Sequence, residues 1–170
     1  RVDNVAGVTL TENPDLALAS VAARLGKEAA CHKALAGQIG DAPPEPGRAL
    51  LAQPYSAVWM APDQWMIGAS FETCEDLATV LKDALGEAAS VTEQTDAWVA
   101  FDLSGNGIEA VMELCCNANI RAMQMRDATR TSIHHLGCFV ICGDPGGFVR
   151  ILGPRASAGS LHHAILTALH

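Results

Sequence analysis

Apolar and polar positions along the chain change period several times, and each change marks an element. Over residues 97–103 a short apolar run stops at Ser104-Gly105-Asn106-Gly107, and a helical pattern through Ile108, Val111, Met112, Leu114 and Cys115 follows at once. The spacing predicts a strand, a tight turn and a helix, with Trp98 buried in the strand and the Ser104 hydroxyl capping the helix. Upstream, residues 5–10 read as a strand. Over residues 16–25, Leu16, Leu18, Ser20 and Ala22 alternate with Ala17, Ala19, Val21 and Ala23, which favours a second strand although the alanines would also suit a helix.

Residues 27–39 have a helical pattern in which Ala30, Ala34 and Leu35 share a face, and Gly40 closes it. Pro43, Pro44 and Pro46 make residues 41–47 a loop. Two short strands, 56–60 and 64–69, are joined through Ala61-Pro62-Asp63 as a hairpin with Trp59 and Trp65 on its two arms. Residues 73–85 form an amphipathic helix on Leu77, Val80, Leu81 and Leu85, with Thr73 as N-cap, Asp76 closing a capping box and Gly86 at the end. The rest reads as strands at 129–136, 138–142 and 148–152, a Gly143-Asp144-Pro145-Gly146 turn, and a closing helix at 157–169. Two halves of similar grammar result, approximately 1–90 and 91–170 of one domain. The fold class is α+β, two β-α-β-β-α-like halves with mainly antiparallel sheets.

Composition removes several function classes. The 170 residues carry 19 acidic against 11 basic side chains, a net charge of -8, with no basic stripe of the kind that binds nucleic acid. No apolar stretch reaches the roughly 18 residues of a membrane span, and the N-terminus lacks the basic-then-apolar pattern of a signal peptide. Cys31, Cys74, Cys115, Cys116, Cys138 and Cys142 fall mostly within apolar patterns, which suits free thiols in a cytoplasmic protein.

Gly105, Gly107 and Ala110 fit G-x-G-x-x-A, in which glycines let the chain approach a pyrophosphate at a helix N-terminus. A dinucleotide unit also needs a buried parallel strand after the helix, ending in an acid about 20 residues on. Asp127 has that spacing, but Asn117 to Arg126 reads N-A-N-I-R-A-M-Q-M-R, too polar for a central parallel strand. The glycines therefore read as turn residues that contact no phosphate.

Other chemistry is sparse. On a strand, His134 and His135 point to opposite faces; on a helix, His162 and His163 diverge by about 100°. Cys138 and Cys142 lie about 13 Å apart along a strand, too far for one zinc. Asp102 is the best lone carboxylate for a general base, with a turn-holding role as its plain alternative. The sequence thus offers no catalytic, cofactor-binding or metal-ligating set.

Five pieces in order resemble a known family. They are Trp59-x-x-Pro62-x-Gln64-Trp65-Met66, Val91-Thr92-Glu93-Gln94-Thr95-Asp96-Ala97-Trp98, Leu103-Ser104-Gly105 leading through Ala110 to Leu114, Thr129-Arg130-Thr131, and Arg155-Ala156-Ser157-Ala158-Gly159-Ser160-Leu161. Together, from about Leu16 onward, they resemble the gamma subunit of heterotetrameric sarcosine oxidase. The resemblance implies a fold similar to the folate-binding domain of glycine-cleavage aminomethyltransferases and a subunit without an active site or cofactor of its own. It implies that FAD, FMN, NAD and tetrahydrofolate sit on partner subunits, the large alpha, the beta and the small delta, with zinc on delta. The whole complex of that family demethylates sarcosine to glycine, passes electrons to oxygen and captures the one-carbon unit on tetrahydrofolate. Related N-methylglutamate dehydrogenases use a similar subunit. The chain departs from the family at Ile120-Arg121, where an acid usually follows the isoleucine, and lacks the aromatic common after the C-terminal Arg-Ser pair. Its alternative is a free-standing folate-binding or aminomethyltransferase-like protein, which a deep pocket with an acid and aromatic walls would favour. A nucleotide-binding enzyme on Gly105-Asn106-Gly107 comes third. As a subunit it should present apolar residues to partners, first Trp59 and the Met123 to Met125 segment.

Overall fold

The computed structural model describes all residues, 1–170. In chain order the elements are β1 (Val2–Val5), β2 (Val8–Asn13), β3 (Ala17–Ala23), α1 (Glu28–Ile39), β4 (Ala49–Leu51), β5 (Tyr55–Ala61), β6 (Gln64–Ala69), α2 (Leu77–Leu85) and β7 (Ala89–Glu93). They continue as β8 (Trp98–Gly105), α3 (Ile108–Cys115), β9 (Ala128–Ile133), β10 (Leu136–Asp144), β11 (Phe148–Pro154) and α4 (Ala158–Leu169), with short 3-10 turns at Gly86–Ala88, Ile120–Ala122 and Arg155–Ser157. The chain forms two compact units, Asp15–Thr95 and the combination of Arg1–Pro14 with Asp96–His170. No helix is long and apolar enough to cross a membrane.

The contiguous unit has a five-stranded antiparallel sheet in the order β4-β5-β6-β3-β7. Strand alternation places Ala17, Ala19 and Val21 of β3 and Trp65 and Ile67 of β6 in one core with Cys31, Leu35 and Ile39 of α1 and Leu77, Leu81 and Leu85 of α2. The i, i+4, i+8 stripe Cys31-Leu35-Ile39 is the buried face of α1; the expected Ala30 is exposed. Gly40 ends α1 in the left-handed conformation (φ 78°), its N–H donating to the Ala36 carbonyl.

The second unit has a six-stranded antiparallel sheet, β1-β2-β8-β11-β10-β9. Leu10, Val99, Phe101, Leu103, Val140 and Ile151 on one face meet Ile108 and Met112 of α3 and Leu161 and Ile165 of α4. Leaving out β1, the two sheets have the same order: β4-β5-β6-β3-β7 corresponds to β9-β10-β11-β8-β2. In both, the strand before the first helix, β3 or β8, lies inside the sheet between two antiparallel neighbours. The α+β class with two similar antiparallel halves therefore holds, but the units do not divide at residues 90 and 91. The chain crosses between them at Thr95 and Asp96, and β1 and β2 serve the second unit. In the first unit the fifth strand, β7, follows the last helix; in the second, the N-terminus supplies it as β2.

Several local expectations are corrected. The strand expected at 5–10 is interrupted by a two-residue turn at Ala6-Gly7 (φ 52° and 85°), so β1 and β2 form a hairpin. The strand expected at 129–136 ends at Ile133, and His134-His135 (φ 49° and 66°) turn the chain into β10. Thr73 lies before α2 and donates to the Ser70 carbonyl; Asp76 occupies the N-cap position without a side-chain cap. Ser104 pairs within β8, and Gly107 (φ 102°) takes the N-cap of α3. The short edge strands β4 and β7 were not expected.

Candidate functional site

The glycine turn is filled by the protein itself. Gly105 has φ 113°, and a Cβ there would overlap the carbonyl oxygen of Gly7 in the β1–β2 turn. Its N–H donates to the Gly147 carbonyl at 3.2 Å, and the Gly107 carbonyl accepts from Val111 at 3.3 Å. Both neighbours of β8, β2 and β11, run antiparallel to it, and β9 lies at the sheet's far edge. No parallel strand follows α3, so the βαβ frame of a dinucleotide site does not exist here. Asp127 instead holds its own turn, accepting the Gln124 N–H at 2.8 Å.

Asp102 sits in the middle of β8, directly opposite Arg150 on β11. Arg150 Nε and Nη2 each donate to an Asp102 carboxylate oxygen at 2.7 Å, a bidentate pair, and Asn13 Nδ2 donates to Oδ2 at 3.4 Å. With both oxygens engaged and the side chains of the pair only 16 and 17% exposed, this carboxylate is a cross-strand clamp rather than a free base. Trp98, four residues earlier on the same face, is half-buried and tilted against Phe139 at 5.6 Å, less enclosed than its apolar run predicts. Val99, Phe101 and Leu103, rather than Trp98, alternate into the helix-covered face.

The histidines separate by role. His162, 7% exposed, meets Asp3 Oδ2 through Nε2 at 2.8 Å and packs against the Phe101 ring, fastening α4 to the edge strand β1. The His162 hydrogen bond is the main reason that the Asp3 carboxyl lies below its ordinary value. His32 meets Asp63 Oδ1 at 2.7 Å and stands edge-on to Trp65, whose indole N–H donates to the Pro44 carbonyl at 2.8 Å. This arrangement ties the β5–β6 turn and the proline loop to α1, and the neighbouring Cys31 thiol is buried and raised above its ordinary value by burial and by Asp63. Trp59 and Trp65 are cross-strand partners; Trp65 is buried, and Trp59 is partly buried against the same core. The methionines split, Met123 being buried and Met125 56% exposed.

His134 and His163, unrelated in sequence, come together around an open cleft of about 340 Å³ in the second unit. Leu114 and Cys115 at the end of α3, Ile133 and His134 at the β9–β10 turn, and His163, Ala164 and Thr167 on α4 line it. The positive-φ turn puts His134 at this rim, which a continuous strand would not do. All six cysteines are free. Burial, helped by Cys116, pushes the Cys115 thiol up to about 11, so it is protonated at neutral pH and a poor nucleophile. Burial also raises Cys138, to about 11. No group of three or more His, Cys, Asp or Glu residues comes together in a way that could hold a metal ion. The cleft contains no carboxylate and no Phe, Tyr or Trp wall.

No protein-family model matches the chain, and no curated protein matches it. Solved structures do. A chain of heterotetrameric sarcosine oxidase from Corynebacterium sp. U-96, determined in complex with pyrrole 2-carboxylate, superposes with a TM-score of 0.81 at 22% identity, over 99% of this chain and 86% of that one. Glycine cleavage system aminomethyltransferase T from Bartonella henselae superposes with a TM-score of 0.67 at 14% identity, over 95% of this chain but 46% of the enzyme. The chain therefore has the fold of a chain of heterotetrameric sarcosine oxidase, a fold that also makes up about half of an aminomethyltransferase.

Proposed function

We propose that this chain is the non-catalytic gamma subunit of a heterotetrameric, sarcosine oxidase-type flavoenzyme in the cytoplasm, where it supports assembly with alpha, beta and delta subunits. The observation that carries the reading is two-way coverage: the chain and the sarcosine oxidase chain are nearly coextensive, whereas the aminomethyltransferase has more than as much again. The chain's own residues agree. FAD, FMN, NAD and tetrahydrofolate would belong to the partners, because the one glycine turn with a nucleotide-like pattern is occupied by the Gly7 carbonyl and its Gly105 N–H is already bonded. Asp102 is held by Arg150, and the Cys115 thiol is protonated. The free-standing folate-binding alternative called for an acid and aromatic walls, and the cleft has neither.

The test is to purify the chain alone, assay sarcosine-dependent peroxide formation and record a flavin spectrum, then repeat with the large subunits co-expressed. The isolated chain should be colourless and inert, and omission of the chain should lower the yield of active oxidase. Turnover by the chain alone, or an oxidase unchanged without it, would refute the reading. A separate calorimetric titration with NAD, FAD and ATP should show no saturable micromolar binding.

A further inference from the structure

Resting on the subunit reading above, we infer that the cleft at the ends of α3 and α4 is the docking point for one segment of a partner subunit, an apolar side chain flanked by a carboxylate. The apolar part of the inference starts from Leu114. It is 76% exposed at the rim of the cleft, and Ile133 and Ala164 continue the apolar surface inward. Two unrelated elements supply hydrogen-bond donors beside it: His134 from the β9–β10 turn and His163 from α4. Neither imidazole forms a hydrogen bond within the chain, and either presents an N–H in its neutral or protonated form. The Thr167 hydroxyl is already committed to the His163 carbonyl at 2.8 Å, so the two imidazoles are the donors left for an incoming group.

Charge selects the occupant. The chain carries a net -8, yet no carboxylate lines this cleft. The carboxylates on the adjoining face of α3, Glu109 and Glu113, are both bound by Arg121, which holds them away from the cleft lining and offsets one of their two negative charges. A carboxylate arriving here meets two donors and no carboxylate in the lining, whereas elsewhere on this acidic chain it would meet more like charge. The cleft's form favours a protein segment over a free small molecule. Small-molecule sites enclose about 70–90% of a ligand's surface, but this cleft is open along one side and bordered by an exposed leucine. About 340 Å³ accommodates one or two side chains, the size of a hot-spot anchor rather than of a whole interface.

The experiment measures recovery of the complete complex after co-expression with the large subunits, by size exclusion and native mass spectrometry, using the full chain throughout. Leu114→Asp removes the anchor and places a negative charge beside the imidazoles; recovery should fall by about tenfold or more. The double variant His134→Ala/His163→Ala should also reduce recovery. Leu25→Asp, at an exposed apolar position that does not line the cleft, should assemble like wild type. Circular dichroism should be the same for all variants, since the three substituted cleft residues are exposed. Leu114→Asp chains that fold and assemble normally would overturn the docking site while leaving the subunit reading intact. Failure of the wild-type chain to assemble would overturn both. Saturable binding of isovalerate to the isolated chain, perturbing the His134 and His163 resonances, would make the cleft a small-carboxylate site and overturn docking.

Discussion

At Gly105 the missing side chain is required twice, once by φ 113° and once by the Gly7 carbonyl pressed against the Cα. At Gly107, φ is 102°, but an added Cβ would touch only a Val8 methyl at 3.7 Å. Gly107→Ala should therefore cost about 1 kcal/mol of backbone strain, and Gly105→Ala about 3 kcal/mol or more because the β1–β2 turn must move as well. Urea unfolding of the two variants would measure the difference. A second residue-scale prediction concerns Asp3. Its hydrogen bond from His162 holds the carboxyl below the ordinary 3.8, so on acidification the folded chain takes up this proton later than the unfolded chain. That stabilisation is whole above 3.8 and is lost as pH falls through the lower, folded value. Asp3→Asn should flatten this acid limb in melts followed below about pH 4. The turn role of both glycines was legible in sequence because Gly-Asn-Gly separates two periods. The partner at Gly105 was not, since Gly7 is remote in sequence and only the β2–β8 pairing brings it near.

Turn chemistry decided which elements were legible. Pro62-Asp63 and Asp144-Pro145-Gly146 carry recognised turn residues, and both hairpins were located. His134-His135 adopts two positive φ values without the usual Gly or Asn, so the pattern of alternating residues continued through a turn. For the same reason the meeting of His134 with His163 was invisible, although each histidine had been noted alone. The β5–β6 hairpin supports a further prediction. Trp65, 2% exposed, fills the core between the sheet and α1 and donates to Pro44, while its cross-strand partner Trp59 is only partly buried. Trp65→Ala should cost about 3–5 kcal/mol, and Trp65→Phe a smaller amount that includes about 1–2 kcal/mol for the orphaned Pro44 carbonyl. Trp59→Ala should cost clearly less than Trp65→Ala in the same chemical denaturation series.

Over the whole molecule, the sequence shows two halves but conceals the exchange that completes the second, because residues 1–14 carry no mark of the distant strand they pair with. Deleting them would remove the fully buried Leu10 and leave the β8 edge unpaired, so the truncated chain should lose cooperative unfolding and aggregate. A circular permutant should tolerate the opposite change. Asp3 touches His162, and the two turns of α4 beyond it rise roughly 12 Å, so a linker of about ten Gly and Ser residues from His170 back to Arg1 is long enough. With new ends at Thr95 and Asp96, such a chain should give the same circular dichroism spectrum and a similar melting temperature. The natural order also sets a timetable during synthesis. The contiguous unit, residues 15–95, is complete once Thr95 has left the ribosome, whereas Leu10 must wait for Leu103, and the second sheet remains uncovered until α3 and α4 have emerged. At about 5–20 residues per second the N-terminal hairpin spends several seconds without its partner strand. It is therefore the part of the nascent protein most exposed to mispairing and to chaperones.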